Sequence, residues 1–219
     1  MGQMGGRSGR WRRTRLSRAR LYVVASAREG RGDQAAFLDA VLGAGADVIQ
    51  LREKDAEAGD LIRWGAEFRT ATRRHGALFI VNDRPDVALA LEADGVHLGQ
   101  NDLPVKFARR LVGSDLIIGL STHDTDQLGA SSPEADYVCV GPVFETPTKP
   151  GRPATGVALV REAAGREARP WFAIGGIDPT TLPSVVEAGA RRVAVVRAVT
   201  EAPDAAGAVE VLLRSLPLL

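Results

Sequence analysis

The chain has 219 residues, of which 45% are apolar and 25% charged, with a formal net charge of +1; this excludes a fibrous or wholly disordered chain and suits one globular domain with a sizeable core. No apolar run approaches the roughly 20 residues of a membrane span, and the N-terminus lacks the apolar stretch of a secretory leader, so a cytosolic protein without a membrane partner is expected. The single cysteine, Cys139, sits in the run Tyr137-Val138-Cys139-Val140; it excludes an internal disulfide and reads as a small buried strand residue.

The first segment holds Arg7, Arg10, Arg12, Arg13, Arg15, Arg18 and Arg20 and no acid. A basic run with Gly and Ser and no apolar periodicity is expected to be a disordered, solvated extension over residues 1–19, leaving residues 20–219 as the folded domain. A nucleic-acid partner is not expected from it. Downstream, short β-branched runs predict strands at 21–26, 48–53, 78–83, 95–99, 116–122, 137–144, 171–176 and 193–199. Segments of helical spacing lie between them, with Phe37, Val41 and Leu42 on one apolar face and Leu61, Trp64, Phe68 and Ala71 on another. A last helix is expected over 204–216.

An internal echo supports the count. Ala46-Asp47-Val48, Ala93-Asp94-Gly95-Val96, Ala135-Asp136-Tyr137-Val138 and Ala190-Arg191-Arg192-Val193 each enter a strand, at intervals of roughly 40–55 residues, or about two βα units. The fold class expected is α/β, a single-domain (β/α)8 TIM barrel with short loops. A doubly wound open sheet is the alternative; it wants a Gly-rich first turn, which Ala25-Ser26-Ala27-Arg28 is not. In a barrel, site residues must cluster at the C-terminal ends of the strands.

Those ends are rich in chemistry. Basic residues here are arginine almost throughout, the lysines being Lys54, Lys106 and Lys149, so a retained lysine hints at a need for a compact ammonium. In Gln50-Leu51-Arg52-Glu53-Lys54, a period of two puts Gln50, Arg52 and Lys54 on one face and Leu51 and Glu53 on the other. An amide, a guanidinium and an ammonium facing a barrel interior call for an anion; a strand end simply emerging into solvent is the plainer reading. Asp83 and Asp102 follow neighbouring strand ends and could hold Mg²⁺ against phosphate oxygens, or could merely cap the helices that follow Arg84-Pro85 and Leu103-Pro104. The loop Gly141 to Gly151 is dense in hydroxyls, prolines and glycines, and Gly175-Gly176 and Val196-Arg197 stand where this fold usually binds phosphate.

Gln50-Leu51-Arg52-Glu53-Lys54, Val81-Asn82-Asp83-Arg84, Gly95-Val96-His97-Leu98-Gly99-Gln100, Thr146-Pro147-Thr148-Lys149 and Ala173-Ile174-Gly175-Gly176-Ile177 together resemble the motif set of the thiamine phosphate synthases, in family order, from about residue 20 to the C-terminus. The resemblance implies a Mg²⁺-dependent enzyme that joins 4-amino-2-methyl-5-pyrimidinylmethyl diphosphate to a thiazole ethyl phosphate and releases pyrophosphate. It implies Gln50, Leu51, Arg52, Glu53, Lys54, Asn82, Ser121 and Lys149 as the pyrimidine diphosphate site, with Arg52, Lys54 and Lys149 acting on the leaving group. Asp83 and Asp102 would hold the metal. Thr146, Pro147, Thr148, Gly176, Val196 and Arg197 would bind the thiazole phosphate. Arg197 departs from the small hydroxyl residue expected there, although a guanidinium also suits phosphate.

Two other readings stay open at this point: a thiazole tautomerase of the same fold, and a non-catalytic phosphate-sensing regulator. His123 suits synthase and tautomerase alike, whereas Asp83, Asp102 and Lys54 together suit only the first. His97 reads equally as a substrate contact or a core hydrogen-bonding residue, and His75 as a charge at a helix end. Oligomeric state is open as well.

Overall fold

Alternation along short parallel strands builds this protein. A computed structural model describes residues 7–146 and 153–219, and the strands β1 (Leu21–Ala25), β2 (Val48–Leu51), β3 (Leu78–Asn82), β4 (Gly95–Leu98), β5 (Ile117–Thr122), β6 (Tyr137–Val140), β7 (Trp171–Ile174) and β8 (Val193–Val195) close in sequence order into a barrel, β8 pairing with β1. Helices α1 (Gly9–Arg18), α2 (Gln34–Gly43), α3 (Ala58–His75), α4 (Pro85–Ala90), α5 (Val105–Val112), α6 (Thr125–Gly129), α7 (Gly156–Arg166), α8 (Leu182–Glu187), α9 (Arg197–Thr200) and α10 (Ala205–Ser215) accompany them. The (β/α)8 barrel expected from the sequence is the fold observed.

The period of two splits the core into two bodies. Leu21, Val23, Ile49, Leu51, Phe79, Val81, Val138 and Val140 face the helix layer, while Tyr22, Val24, Val48, Leu78, Ile80, Tyr137, Cys139 and Phe172 fill the barrel interior. Interior packing is tight enough to require one glycine: a Cβ on Gly119 would lie 2.1 Å from the Tyr137 ring.

Two predicted strands, 137–144 and 193–199, end four residues early. β6 stops at Val140 because Pro142 has no N–H for the ladder; Val143 N and Phe144 N then donate to the carbonyls of Ile174 and Gly175, tying the loop to the end of β7. β8 stops at Val195, and the chain turns through Val196 into α9, which brings Arg197 to the barrel mouth.

The arginine-rich segment is not a solvated extension. Over Gly9–Arg18 it is a helix, capped by Ser8, and its Leu16 and the following Ala19 join the interior core from the N-terminal end, closing the barrel floor. The echo seen in the sequence supplies its anchors. Asp47 accepts from the backbone N–H of Arg20 and Leu21, Asp94 from Phe79 and Asp136 from Ile118, so each carboxylate satisfies a strand-entry donor. The same carboxylates then pair with the tail: Asp94 with Arg7 at 2.5 Å and Arg12 at 3.2 Å, Asp136 with Arg13 at 2.9 Å, and Asp47 with Arg15 at 3.8 Å. At the fourth repeat the charge is reversed. Arg192 donates to the carbonyls of Ser17 and Ala19, the negative end of α1.

This arrangement makes α1 part of the folded unit. Deleting residues 1–18 strands the 3%-exposed Asp94 side chain and uncovers the apolar floor, a loss of roughly 4 kcal/mol; Tm should fall by about 10 °C in thermal unfolding. Leu16→Asp should act in the same direction. A truncated protein that melts with the full chain would show that α1 contributes nothing.

Candidate active site

At the C-terminal mouth the strands deliver polar residues where the lower interior is apolar. A cavity of about 370 Å³ is lined by Gln50, Arg52 and Lys54 from the end of β2, Asn82 and Asp83 from β3, and Asp102 from the loop after β4. His97, Gln100 and Ser121 line it as well. The parity read from the sequence holds: Gln50 is buried inside the barrel, whereas Leu51 belongs to the core beneath the helices. Glu53 turns the same way as Leu51, its Oε1 accepting from the Ala27 N–H. The side chains of Leu51 and Glu53 therefore turn away from the cavity by the alternation of the strand, and those of Gln50, Arg52 and Lys54 line it.

Asp83 and Asp102 meet. Neither caps a helix: the residue before α4 is Arg84, that before α5 is Pro104, and neither start has a side-chain cap. Asp102 Oδ2 instead accepts from Gly99 N at 2.6 Å, drawing the β4 loop into a tight turn. Asp83 has φ of 60°, a left-handed conformation that costs a non-glycine residue of order 1 kcal/mol and is typical of functional sites. Burial first, then a hydrogen bond to Asp102 and the like charge of that carboxylate, push its carboxyl up to about 6, against the opposing pull of Lys54 and Asn82. Two oxygen-donor groups are thus held closer than their charges favour, beside a lysine.

A second cavity of about 220 Å³ adjoins the first and shares His123, Ile174, Ala194 and Val196 with it. Its walls include Thr146, Gly175, Gly176, Val196 and Arg197. Gly176 has φ of 64°, and a Cβ there would lie 2.7 Å from the Cβ of Phe144, so the β7 loop can pass under the β6 loop only with glycine. His123 stands at the seam. Its Nδ1 donates to the Gly141 carbonyl, which can only accept. Pro147, Thr148 and Lys149 lie outside the described residues.

The structure adds residues the motif reading passed over. Tyr22 and Tyr137 lie under the larger cavity, and Gln100 Nε2 donates to the Ser121 carbonyl at 2.6 Å, fixing the β4 loop to β5. Strand parity marks both tyrosines as interior, but only three-dimensional contact joins them to Gln50 and His97. Cys139 is buried in the barrel interior, as its run of apolar neighbours indicates.

Comparison with known proteins bears on this geometry. A sequence model described as thiamine monophosphate synthase matches residues 21–199. Thiamine-phosphate synthase of Acidothermus cellulolyticus is 58% identical over 196 residues, covering 88% of this chain and 92% of the relative. The enzyme of that name from Mycobacterium avium is 56% identical over 196 residues, covering 84% and 88%. A solved structure of thiamine phosphate pyrophosphorylase from Pyrococcus furiosus is 35% identical and superposes with a TM-score of 0.81 over 93% of this chain and 96% of that one. With residues 21–199 matched as a unit and identities this high over most of both lengths, the chain belongs to the thiamine monophosphate synthase family, a family of transferases.

Proposed function

We propose that this protein joins 4-amino-2-methyl-5-pyrimidinylmethyl diphosphate to a thiazole ethyl phosphate, giving thiamine phosphate and pyrophosphate. One observation carries the reading: two adjoining cavities open at one barrel mouth, the larger with paired carboxylates among cations, the smaller with a glycine turn and Arg197. The bond from the pyrimidine methylene carbon to the diphosphate oxygen breaks, both electrons leaving with oxygen. The ring delocalises the positive charge, and the thiazole nitrogen lone pair closes the new carbon–nitrogen bond. No proton moves, so the step asks for no acid–base pair.

The barrier is charge separation, so the protein's work is electrostatic and positional. Arg52 and Lys54 meet the departing diphosphate, with Lys149 assigned to the same task on the resemblance. Gln50, Asn82 and Ser121 hold the pyrimidine half. Gly176, Val196, Arg197 and Thr146 hold the thiazole phosphate, with Pro147 and Thr148 assigned beside them on the resemblance.

Asp83 and Asp102 would hold Mg²⁺, which when bound neutralises charge on the leaving diphosphate. The donor set fits: two carboxylates pressed together with one carboxyl raised to about 6 have room for a cation in place of a proton. No group of three or more His, Cys, Asp or Glu among the described residues could hold a metal, and magnesium typically takes one or two carboxylates and completes its shell with substrate phosphate and water. A tautomerase or a phosphate sensor would leave this pair without a task.

Purified protein should release pyrophosphate from the two substrates only with Mg²⁺ present, and excess chelator should abolish release until the metal is restored. Undiminished turnover in chelator would remove the metal from the reading. Asp83→Asn and Asp102→Asn should each lower kcat at least about tenfold and raise the Mg²⁺ concentration for half-maximal rate; an unaltered magnesium titration in both variants would count against their assignment as ligands.

A further inference from the structure

A clamp at the barrel mouth lies outside both substrate cavities. Arg28 stands in the loop after β1 with φ of 55°, a left-handed conformation that a non-glycine residue keeps only where its surroundings fix it. Its side chain is 8% exposed. Nε and Nη2 donate to the two carboxylate oxygens of Asp33, at 2.8 and 2.6 Å, and the guanidinium lies 4.1 Å from the centre of the Phe37 ring. The remaining arm, Nη1, crosses to the Thr200 carbonyl at the end of α9, 3.0 Å away. Arg31 Nη1 reaches the same carbonyl at 3.3 Å from an exposed position.

The helix at the far end of this clamp is a single turn. Val199 N and Thr200 N donate to the Val196 carbonyl, and Glu201 N to that of Arg197. Movement of Thr200 is therefore passed to Val196 and Arg197, which wall the smaller cavity. The wholly buried Val199 and the adjacent α10 hold the turn from one side. On the other side a third cavity, of about 350 Å³, separates Val24, Ala25 and Ser26 from Val196, Arg197 and Thr200, so packing leaves that side open. Arg28 joins the two sides. Its own loop is held in turn by Glu53 at the end of β2, whose Oε1 accepts from the Ala27 N–H at 2.8 Å. The orientation of α9 is thus referred to the strand end that carries Arg52 and Lys54.

We propose that Arg28 is a positioning residue for the thiazole phosphate: it fixes the orientation of α9 and so holds Val196 and Arg197 where they meet that phosphate. The proposal deepens the function proposed above and rests on it. The described residues that line the two substrate cavities do not include Arg28, so its effect on binding passes through α9. A support of this kind acts on one substrate. Arg52, Lys54 and Asn82 stand on the ends of β2 and β3 and keep their places when α9 shifts, so the pyrimidine diphosphate is bound as before.

The test measures KM for each substrate with the other saturating, by pyrophosphate release at saturating Mg²⁺, alongside Tm. Arg28→Ala should raise KM for the thiazole phosphate by about tenfold, with KM for the pyrimidine diphosphate within about twofold and kcat within about threefold, the pattern of lost binding of one ligand. Arg28→Lys keeps a charge and a donor but not the fork that serves Asp33 and Thr200 together, so its thiazole phosphate KM should rise by about threefold. Should the alanine variant not fold, the lysine variant makes the same comparison. A residue with a merely structural role would lower Tm with both KM values unchanged, or raise both together, and either pattern in a folded variant would overturn the proposal. A wild type that releases no pyrophosphate from the two substrates would overturn the proposed function itself, a result seen before any variant is compared.

Discussion

Closing eight parallel strands into a barrel leaves every second side chain facing the same enclosed interior, and what those side chains are decides the rest of the molecule. The lower interior is filled by Val48, Leu78, Ile80, Ile117 and Phe172, so it is a packed core rather than a channel. Toward the C-terminal ends the inward positions become Gln50, Asn82, His97 and Ser121. A polar layer there is tolerated because its members bond one another and open onto a cavity, which avoids the cost of buried unpaired groups. Apolar packing below and polar groups above are one consequence of one alternation.

The same closure creates a problem at the other end, where strand-entry N–H groups and apolar side chains would meet water. The repeated aspartates answer the first need and α1 answers the second. Asp47, Asp94 and Asp136 accept from backbone donors with one part of their charge and bind the arginines of α1 with the rest. The reversal to Arg192 at the fourth repeat follows from polarity, since that position meets the carbonyl end of the helix. Charge complementarity thus sets both where the helix lies and which way it points.

At the mouth, tension replaces satisfaction. Asp83 sits at positive φ, and burial with the neighbouring Asp102 raises its carboxyl, while glycine at 176 allows two loops to cross in near contact. Strain and like charge are concentrated at the functional end and supported by a rigid, well-paired remainder, the usual division between a site and its scaffold.

Much of this was legible in the chain. Eight β-branched runs, the Ala-Asp echo and the grouping of cations, carboxylates and glycines at strand ends are local patterns, and a period of two assigns Gln50, Arg52 and Lys54 to the interior and Leu51 and Glu53 to the other face without coordinates. Arg7, Arg12 and Arg13 were not legible, because an arginine reads the same whether solvated or paired, and Asp94 lies 87 residues from Arg7. Nor was the set of hydrogen bonds joining Gln50, Tyr22, Tyr137, His97 and Ser121, whose members come from β1, β2, β4, β5 and β6 and meet only across the closed barrel. The sequence by itself determined strand faces and the chemistry at their ends, since both depend on neighbours a few residues apart. Only the tertiary structure decided which distant groups pair, because hydrogen bonds and ion pairs act over about 3 Å and the distances between residues far apart in the chain exist only once the barrel has closed.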